Sequence, residues 1–437
     1  MSSSNPTSVG DERVIVGHRA YSRHSYAWIL TGVSLVGYMF TTFDTIVFGA
    51  SLPVLAKSFH MTTSGISLLV ASIFFVGAVS GFVMGPLADH WGRKPVLQLI
   101  LLTTGIFSGL TAFVSSIAML TTVRIFSSLG INATSPANTL ISEEAPPRIR
   151  GLLMGIVQAG FPLGSAIAGT LAAVLLPNWR PLFLIAFAPV LMVFIVLFFI
   201  RESPRFREVQ RERKEGIHDN KEIHTNLAMV KKNAVAQILA PDLRRQTFIV
   251  NIFNFLAPAG VIVVATFLTL YVVTVQHFTI TQAATLLAIN NWVALVAQLI
   301  VGYLSDKMPP KWLLVIGAIV GSLGMILLLN PHAAFSTDIL AMVIYGMFGN
   351  GVYGTIFRYT GESYPTRVRA TGMFFAQADV DLMFVLLPLL ASAMFLIGKP
   401  QVILYIATAA QIVAGLTMIA GKNIKPQAAL EEVTQEI

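Results

Sequence analysis

Long apolar runs recur along this chain of 437 residues. One of them, residues 181–200, reads PLFLIAFAPVLMVFIVLFFI and contains no charged side chain. A helix of about 20 residues is about 30 Å long, which matches the hydrocarbon core of a lipid bilayer. Inside that core every backbone N–H and C=O group must be paired, and a helix pairs them within one segment. The runs therefore predict an α-helical protein that crosses a membrane several times.

Twelve apolar runs are long enough to be separate membrane-spanning helices, which we number helix 1 to helix 12. Glycine, proline and charged residues separate them. In chain order they cover residues 28–52, 64–87, 95–115, 118–138, 150–175, 181–200, 246–275, 281–303, 312–330, 337–360, 370–396 and 400–420. Only 11% of all residues are charged, whereas a soluble domain has about 25%. The predicted fold class is an all-α membrane protein with twelve transmembrane helices.

Lysine and arginine are distributed unequally between the two ends of these helices. With both termini on one side, 24 of the 29 basic residues fall on that side, and Lys57, Arg180 and Lys399 lie in loops on the other. Basic loops of membrane proteins stay in the cytoplasm. We therefore predict that both termini are cytoplasmic, in a bacterial inner membrane or its equivalent. The N-terminal segment lacks the apolar core of a cleaved signal, which favours a retained arm.

The net charge of +8 allows two interpretations. In a soluble protein it would suggest nucleic-acid binding. Eleven of the basic residues, however, lie in 201–245, between helix 6 and helix 7, where a cytoplasmic linker faces anionic lipid. We therefore predict the lipid bilayer, and no nucleic acid, as a partner.

The chain repeats itself at an offset of about half its length. Residues after helix 4 match residues after helix 10 at an offset of 219: Glu143, Pro146, Arg148 and Arg150 match Glu362, Pro365, Arg367 and Arg369. The repeat predicts two pseudo-symmetric six-helix halves with a substrate site between them. The predicted organisation is a cytoplasmic N-terminal arm (1–27), a first half (28–200), a basic linker (201–245), a second half (246–421) and a cytoplasmic tail (422–437).

Three loop motifs resemble a known family. GPLADHWGRKP (85–95), RESPRF (201–206) and ESYPTRVRATG (362–372) are similar to motifs of the major facilitator superfamily, and in particular of its organic-acid, aromatic-acid:proton symporter and sugar-porter branches. The resemblance implies a monomer that moves a small-molecule substrate by alternating access. In the loop after helix 8, KMPPK (307–311) stands where glycine and arginine are usual.

In this family the charged loops act as a latch that holds the halves together on the cytoplasmic side. Gly85 permits close backbone approach, and Asp89 can lie at a helix N-terminus, where a negative charge is favoured. The predicted latch consists of Gly85, Asp89, Arg93, Lys94, Glu143, Arg148, Glu202, Asp306, Glu362 and Arg367. The alternative is a static turn with solvated charges. For Arg358 we predict a local pair with Glu362, four residues later, rather than a contact with a substrate carboxylate.

Two ionisable side chains inside the first half are predicted to pair. Asp44 lies about six residues before the outer end of helix 1 and Arg124 about six after the outer start of helix 4, so both lie roughly 9 Å below the outer surface. Residues 124–138 also resemble the helix-4 motif of proton-coupled family members. An aspartate stays ionised beside an arginine and takes up a proton when moved into a dry environment. The pair is therefore a candidate for proton coupling; the alternative is a permanent salt bridge.

Helix 11 carries two further acids, Asp379 and Asp381. They are two residues apart, which is about 200° around a helix, so they cannot both face one cavity. Asp379 is assigned to proton coupling as a second carrier and Asp381 to substrate binding, with a structural acid as the alternative for either.

Polar residues on the helices near the expected cavity are candidates for substrate binding. In the resembled family, helices 1, 4, 7 and 10 line the cavity. Together with Asp381, the predicted substrate-binding residues are Gln158, Asn251, Asn254, Asn291, Asn350 and Tyr353. The alternative for each one is a hydrogen bond between helices.

No sequence feature indicates catalysis, a metal site or a cofactor. The eight histidines have no metal-ligand spacing, and no phosphate-binding loop of the ATPase type occurs. The proton gradient is therefore the predicted energy source. We predict a secondary-active transporter that carries out proton-coupled symport of a small organic acid or a related polar metabolite. The alternatives are an exporter of drugs or metabolites by proton antiport and a non-transporting membrane sensor with the same fold.

Overall fold

The computed structural model describes residues 13–16, 19–215, 234–399 and 401–426. In this part of the chain, eleven helices are long and apolar enough to cross a membrane. The helices in order are Arg23–Ser58 (helix 1), Thr63–Trp91 (2), Arg93–Leu110 (3), Ile117–Ser128 with Thr134–Glu144 (4), Arg150–Gln158 with Gly160–Leu175 (5), Arg180–Ile185 with Pro189–Phe199 (6), Arg244–Leu256 with Pro258–Thr274 (7), Ile280–Ser305 (8), Pro310–Leu328 (9), Phe335–Ile344 with Tyr353–Glu362 (10), Arg369–Leu396 (11) and Gln401–Ile419 (12). The predicted twelve-helix order is therefore present.

Helix 4 is the one span that is missing from these eleven, because it is broken at residues 129–133. Its apolar first piece, Ile117–Ser128, is too short to cross a bilayer alone. The first piece of helix 7 ends just before Pro258. Proline has no backbone N–H group, so it cannot continue the helical hydrogen bonds. In helix 10 a π-helical segment, Tyr345–Asn350, separates the two α-helical pieces. Such segments interrupt the regular hydrogen-bond ladder and recur at functional sites.

The N-terminal arm is not helical throughout. Strands Arg13–Val16 and Arg19–Ser22 form an antiparallel hairpin, and helix 1 begins at Arg23 rather than at residue 28. Val14 and Val16 pack with Tyr26 in a buried cluster of the first half. The all-α prediction needs this one correction.

The linker contains two helices in its described residues, Pro204–Glu215 and Ala234–Ile238. Residues 216–233 of the predicted linker and 427–437 of the predicted tail lie outside the described residues. Ile238 packs into a buried cluster of the second half, so the end of the linker belongs structurally to that half.

Two helix pairs related by the repeat join the halves. Helix 2 packs along helix 11, and helix 5 packs along helix 8. A Cβ atom added to Gly85 would lie 2.9 Å from the Thr371 Cα, and one added to Gly155 would lie 3.0 Å from the Gly302 Cα. Only glycine permits helices to approach this closely, so the expectation for Gly85 is met.

Most of the buried hydrophobic clusters lie within one half of the protein. In the described residues, two buried clusters lie within the first half and two within the second half with its linker end. A fifth, smaller cluster contains Ala88 and Val96 from one half and Ala370 and Phe374 from the other. The buried cluster at the junction is therefore smaller than the clusters within either half.

Candidate functional site

Asp44 and Arg124 form a buried ion pair between helices 1 and 4. Arg124 Nη1 lies 2.8 Å from Asp44 Oδ1, and Nη2 lies 3.0 Å from Oδ2. The two residues are 4% and 3% exposed. Two parallel hydrogen bonds of this kind are the strongest geometry for a guanidinium and a carboxylate. The predicted pairing is therefore present; its role in coupling stays a prediction.

Side chains of the first half surround this pair. The Ser127 hydroxyl lies 3.3 Å from Asp44 Oδ2. The Arg124 guanidinium carbon lies 4.4 Å from the centre of the Phe48 ring and 5.8 Å from that of Phe183. These contacts come from helices 1, 4 and 6, so the pair lies inside the first half and not at its junction with the second.

The break in helix 4 is held by helix 2. The Ser80 hydroxyl donates to the Leu129 carbonyl at 2.6 Å, and the Asn132 side-chain amide donates to the Gly77 carbonyl at 2.9 Å. Asparagine is a poor helix former because its side chain competes for backbone partners. Helix 2 therefore supplies a partner for a carbonyl in the break, and the break holds helix 4 against the helix that packs on the second half.

Asp381 faces the first half across this break. Thr371, Phe374 and Ala378 of helix 11 approach glycines of helix 2 closely, and Asp381 continues that stripe at helical spacing. Asp381 is buried and lies near Asn132, and its Oδ2 atom has no hydrogen-bond partner among the described residues. The carboxylate therefore lies at the junction of the two halves.

Asp379 lies on a different face of helix 11. It interacts electrostatically with Tyr364, a residue of the second half, and one of its carboxylate oxygens is buried with no hydrogen-bond partner among the described residues. Only Asp381 continues the helix-2-facing stripe, as the 200° separation of the two acids requires.

Two tyrosines complete a polar group at the junction. Tyr38 of helix 1 lies near Asp381 and near Tyr353 of helix 10, and its ring lies 6.4 Å from that of Phe161. We call Tyr38, Asn132, Tyr353 and Asp381 the central cluster. Tyr353 and Asp381 were predicted from the sequence, whereas Tyr38 and Asn132 were not, because their neighbours in the cluster are distant in sequence.

The other predicted substrate residues are not joined to the central cluster by contacts in the described part of the chain. Asn254 donates to the Val250 carbonyl at 2.8 Å, which is a structural role. Asn350 lies in the π-helical segment. Asn291 is exposed and shares a face of helix 8 with Gln298, seven residues later.

Gln158 and Asn251 differ from these residues in one respect. Each has a buried side-chain carbonyl oxygen with no hydrogen-bond partner among the described residues. Buried polar atoms in proteins nearly always have a partner. Both residues therefore remain candidates for contact with water or with a polar substrate.

The latch residues lie together at one end of the bundle, which we call the basic end. Two aspartates there cap helices of the opposite half. The backbone N–H and the hydroxyl of Thr371 each donate to Asp89 at 2.7 Å. The backbone N–H groups of Gly151 and Leu152 donate to Asp306 at 2.8 and 2.9 Å. A carboxylate is favoured at a helix N-terminus. Each aspartate therefore links its own half to a helix of the other half, as the predicted latch requires.

Two glutamate–arginine pairs cross the junction in opposite directions. Glu143 Oε1 lies 3.2 Å from Arg369 Nη1, and Glu362 Oε1 lies 2.8 Å from Arg150 Nη1. The offset of 219 converts one pair into the other. All four side chains are buried. Sequence reasoning matched both arginines in the repeat but left them out of the latch.

Arg93 of the first half also contacts the second half at the basic end. One of its terminal nitrogens lies 3.1 Å from both Asp89 and Glu143. The same nitrogen donates to the Thr366 carbonyl of the second half at 2.8 Å. Arg93 therefore occupies the predicted latch position.

Arg358 has the corresponding contacts in the second half. It lies 2.8 Å from Asp306 and 3.1 Å from Glu362 and is fully buried. The predicted local pair with Glu362 is confirmed, and the contact with Asp306 was not predicted.

Lys94 and Glu202 contact each other, whereas Arg148 and Arg367 lie outside the charge pairs that cross the junction. Arg148 is exposed and makes no ion pair with any described residue. Arg367 pairs with Asp242 of the linker at 3.2 Å. The Lys94 backbone N–H donates to Glu202 at 3.0 Å, so Glu202 caps helix 3 within the first half, and burial raises the pKa of this carboxyl. Helices 5 and 11 begin two residues after the chosen arginines, so the first helical residue, rather than the loop residue, points across the junction.

This chain is similar to known proteins both in sequence and in fold. The family model described as Major Facilitator Superfamily matches residues 34–388 and 252–429. The chain is 26% identical to the 4-hydroxybenzoate transporter PcaK of Acinetobacter baylyi, over 83% of each chain. It is 28% identical to the 3-(3-hydroxy-phenyl)propionate transporter of Escherichia coli, over 80% of this chain and 83% of that one.

A further relative and a solved structure extend the comparison. The niacin transporter NiaP of Acinetobacter baylyi is 23% identical over 91% of this chain and 94% of its own. The proton:xylose symporter XylE, solved with 6-bromo-6-deoxy-D-glucose, superposes with a TM-score of 0.77 at 19% identity, covering 94% of this chain and 99% of XylE. The relatives are transporters and not enzymes.

Proposed function

This chain belongs to the major facilitator superfamily, and on that premise we propose that it is a proton-coupled symporter of a small aromatic or related organic acid. The observation that carries the coupling is the buried Asp44–Arg124 pair. Among the described residues, Arg124 is the one charged side chain that contacts Asp44. Protonation of Asp44 would remove one half of a desolvated ion pair, which is among the largest local changes available inside a helical bundle.

The substrate class rests on the relatives and on the central cluster. Three relatives are named for carriers of 4-hydroxybenzoate, 3-(3-hydroxy-phenyl)propionate and niacin. Tyr38 and Tyr353, with Phe161 beside them, offer flat apolar faces and hydroxyl groups at the junction. Such a lining suits a planar solute with a polar substituent.

The transport cycle we propose uses the latch as the element that opens. Among the described residues, its charge pairs join the halves at the basic end, so breaking them would separate the halves there while each hydrophobic core stays packed. The excess of basic residues at this end supports a cytoplasmic assignment for it and for both termini, in an inner membrane.

Uptake by reconstituted protein tests the proposal directly. Proteoliposomes with an imposed inward proton gradient should accumulate labelled 4-hydroxybenzoate or niacin, and a protonophore should abolish the accumulation. Uptake that equilibrates without accumulation would contradict coupling. Accumulation of sugars or organic cations in place of acids would contradict the substrate class.

A further inference from the structure

A cavity of about 520 Å³ opens at the basic end of the second half. It lies between the start of helix 7, the start of helix 9 and the end of helix 12, away from the junction of the halves. Its polar lining consists of Arg245, Lys311, Lys422, Asp242, Gln246 and Ser363. The cavity is separate from the central cluster and adjoins the latch, because its lining residue Asp242 pairs with Arg367.

The charge of this cavity calls for an anion. Three basic residues from three different helix ends line it, against one acid. That acid, Asp242, already pairs with Arg367 at 3.2 Å. Lys311 is 9% exposed, and its ammonium lies 5.3 Å from the Trp312 ring. Burying a lysine is costly unless its charge is compensated, so an anion in the cavity would stabilise it.

The surroundings of the cavity favour a lipid over a soluble ion. The helices that form it begin or end at this level, where phospholipid headgroups lie. Phe248 on helix 7, Trp312 on helix 9 and Ile419 on helix 12 are 59%, 42% and 44% exposed. These apolar side chains continue from the cavity along the outside of the bundle, where acyl chains would pack.

We propose that this cavity binds the phosphate headgroup of an anionic phospholipid. The Arg245 guanidinium offers paired donors to phosphate oxygens, and the Lys311 and Lys422 ammonium groups add charge. Besides the Asp242–Arg367 pair, a second short path connects the site to the latch. Gln246 donates to the hydroxyl groups of Ser363 and Tyr359, both at 2.9 Å, and Ser363 directly follows the latch residue Glu362.

Thermal unfolding of the purified protein with added lipid tests this site. Phosphatidylglycerol should raise the midpoint of unfolding relative to phosphatidylcholine. Lys311→Gln and Arg245→Gln should each weaken the apparent affinity for phosphatidylglycerol about fivefold, since one basic residue near an anionic surface contributes about 1 kcal/mol. Arg245 is exposed, so its variant tests the site without disturbing a buried side chain.

Two neighbouring residues provide matched controls. Lys307 lies in the loop that leads to helix 9, four residues before Lys311, and Arg244 precedes Arg245; Lys307 and Arg244 are exposed, and neither lines the cavity. Lys307→Gln and Arg244→Gln should keep the full phosphatidylglycerol shift. An equal loss in all four variants would show general surface attraction and overturn the site. Inorganic phosphate that reproduces the whole shift would overturn the assignment to a lipid.

Discussion

Arg358 holds in the second half the place that Arg93 holds in the first. Each guanidinium joins the aspartate of a loop motif to a glutamate at the end of a helix, and each is buried. The two arginines are not related by the repeat. Arg93 begins helix 3, whereas Arg358 lies in helix 10. The loop aspartates Asp89 and Asp306 are 217 residues apart, and at that offset the position that corresponds to Arg93 is Pro310. The second half therefore reaches the same charge arrangement from a different helix.

Arg358→Gln should destabilise the protein strongly. The substitution leaves Asp306 and Glu362 with less charge compensation in a buried site, and removing one partner from such a network costs roughly 3–5 kcal/mol. We expect a clear fall in the unfolding midpoint in detergent. Arg148→Gln, at an exposed arginine, should leave the midpoint unchanged. A second substitution, Pro310→Arg, should recover part of the loss, and the absence of any recovery would contradict the equivalence of the two positions.

Arg369→Gln should loosen the basic end of the junction. The chain has no cysteine, so Ser135→Cys introduces a single thiol at a buried position beside Met373 of the other half. Loss of the Glu143–Arg369 pair should speed maleimide labelling of that thiol about tenfold, which corresponds to about 1.4 kcal/mol. Arg148→Gln in the same background is the control. Equal labelling rates in the two backgrounds would remove Arg369 from the latch.

Asp44→Asn should separate exchange from accumulation. The variant keeps the shape of the side chain but cannot take up a proton, so we expect exchange of labelled for unlabelled substrate to survive. Uptake driven by a pH gradient should fall to the equilibrium level. Ser127→Ala, which removes one hydrogen bond to Asp44, should leave accumulation nearly intact. Accumulation by Asp44→Asn at the level of the unmodified protein would show that the pair is purely structural.

The two acids of helix 11 should respond differently to neutralisation. Asp381 belongs to the central cluster, so Asp381→Asn should raise the substrate concentration for half-maximal exchange about tenfold, the effect of losing one charge-assisted hydrogen bond of about 1.5 kcal/mol. Asp379 faces the second half, and Asp379→Asn should change this concentration less than twofold. The reverse pattern would assign the substrate contact to Asp379.

Hydropathy predicted the positions of the helices well, but it predicted only some of the breaks within them. The ends of helices 8, 11 and 12 differ from prediction by at most two residues because apolar runs and charged loops define them. The break in helix 4 was not predicted, since Asn132 is polar but its partner on helix 2 is distant in sequence. The N-terminal hairpin was missed because its strands are only four residues long.

The site was predictable where depth or repetition provided a second constraint. Asp44 and Arg124 were paired by their matching depth, although the residues that surround them could not be foreseen. In the latch, the repeat marked two arginines in each half, but it could not say which one points across the junction. That choice depends on where a helix begins, and Arg150 and Arg369 are the residues that begin theirs.

The separate hydrophobic cores have a consequence for biosynthesis. In the part of the chain that the structure describes, the two buried clusters of the first half, with Val14 and Val16 of the hairpin, contain no side chain from beyond Ile200. A chain emerging from the ribosome can therefore pack its first six helices before the next six are made. The second half then has to dock on a first half that is already folded, through a narrow junction lined by glycines and charged side chains.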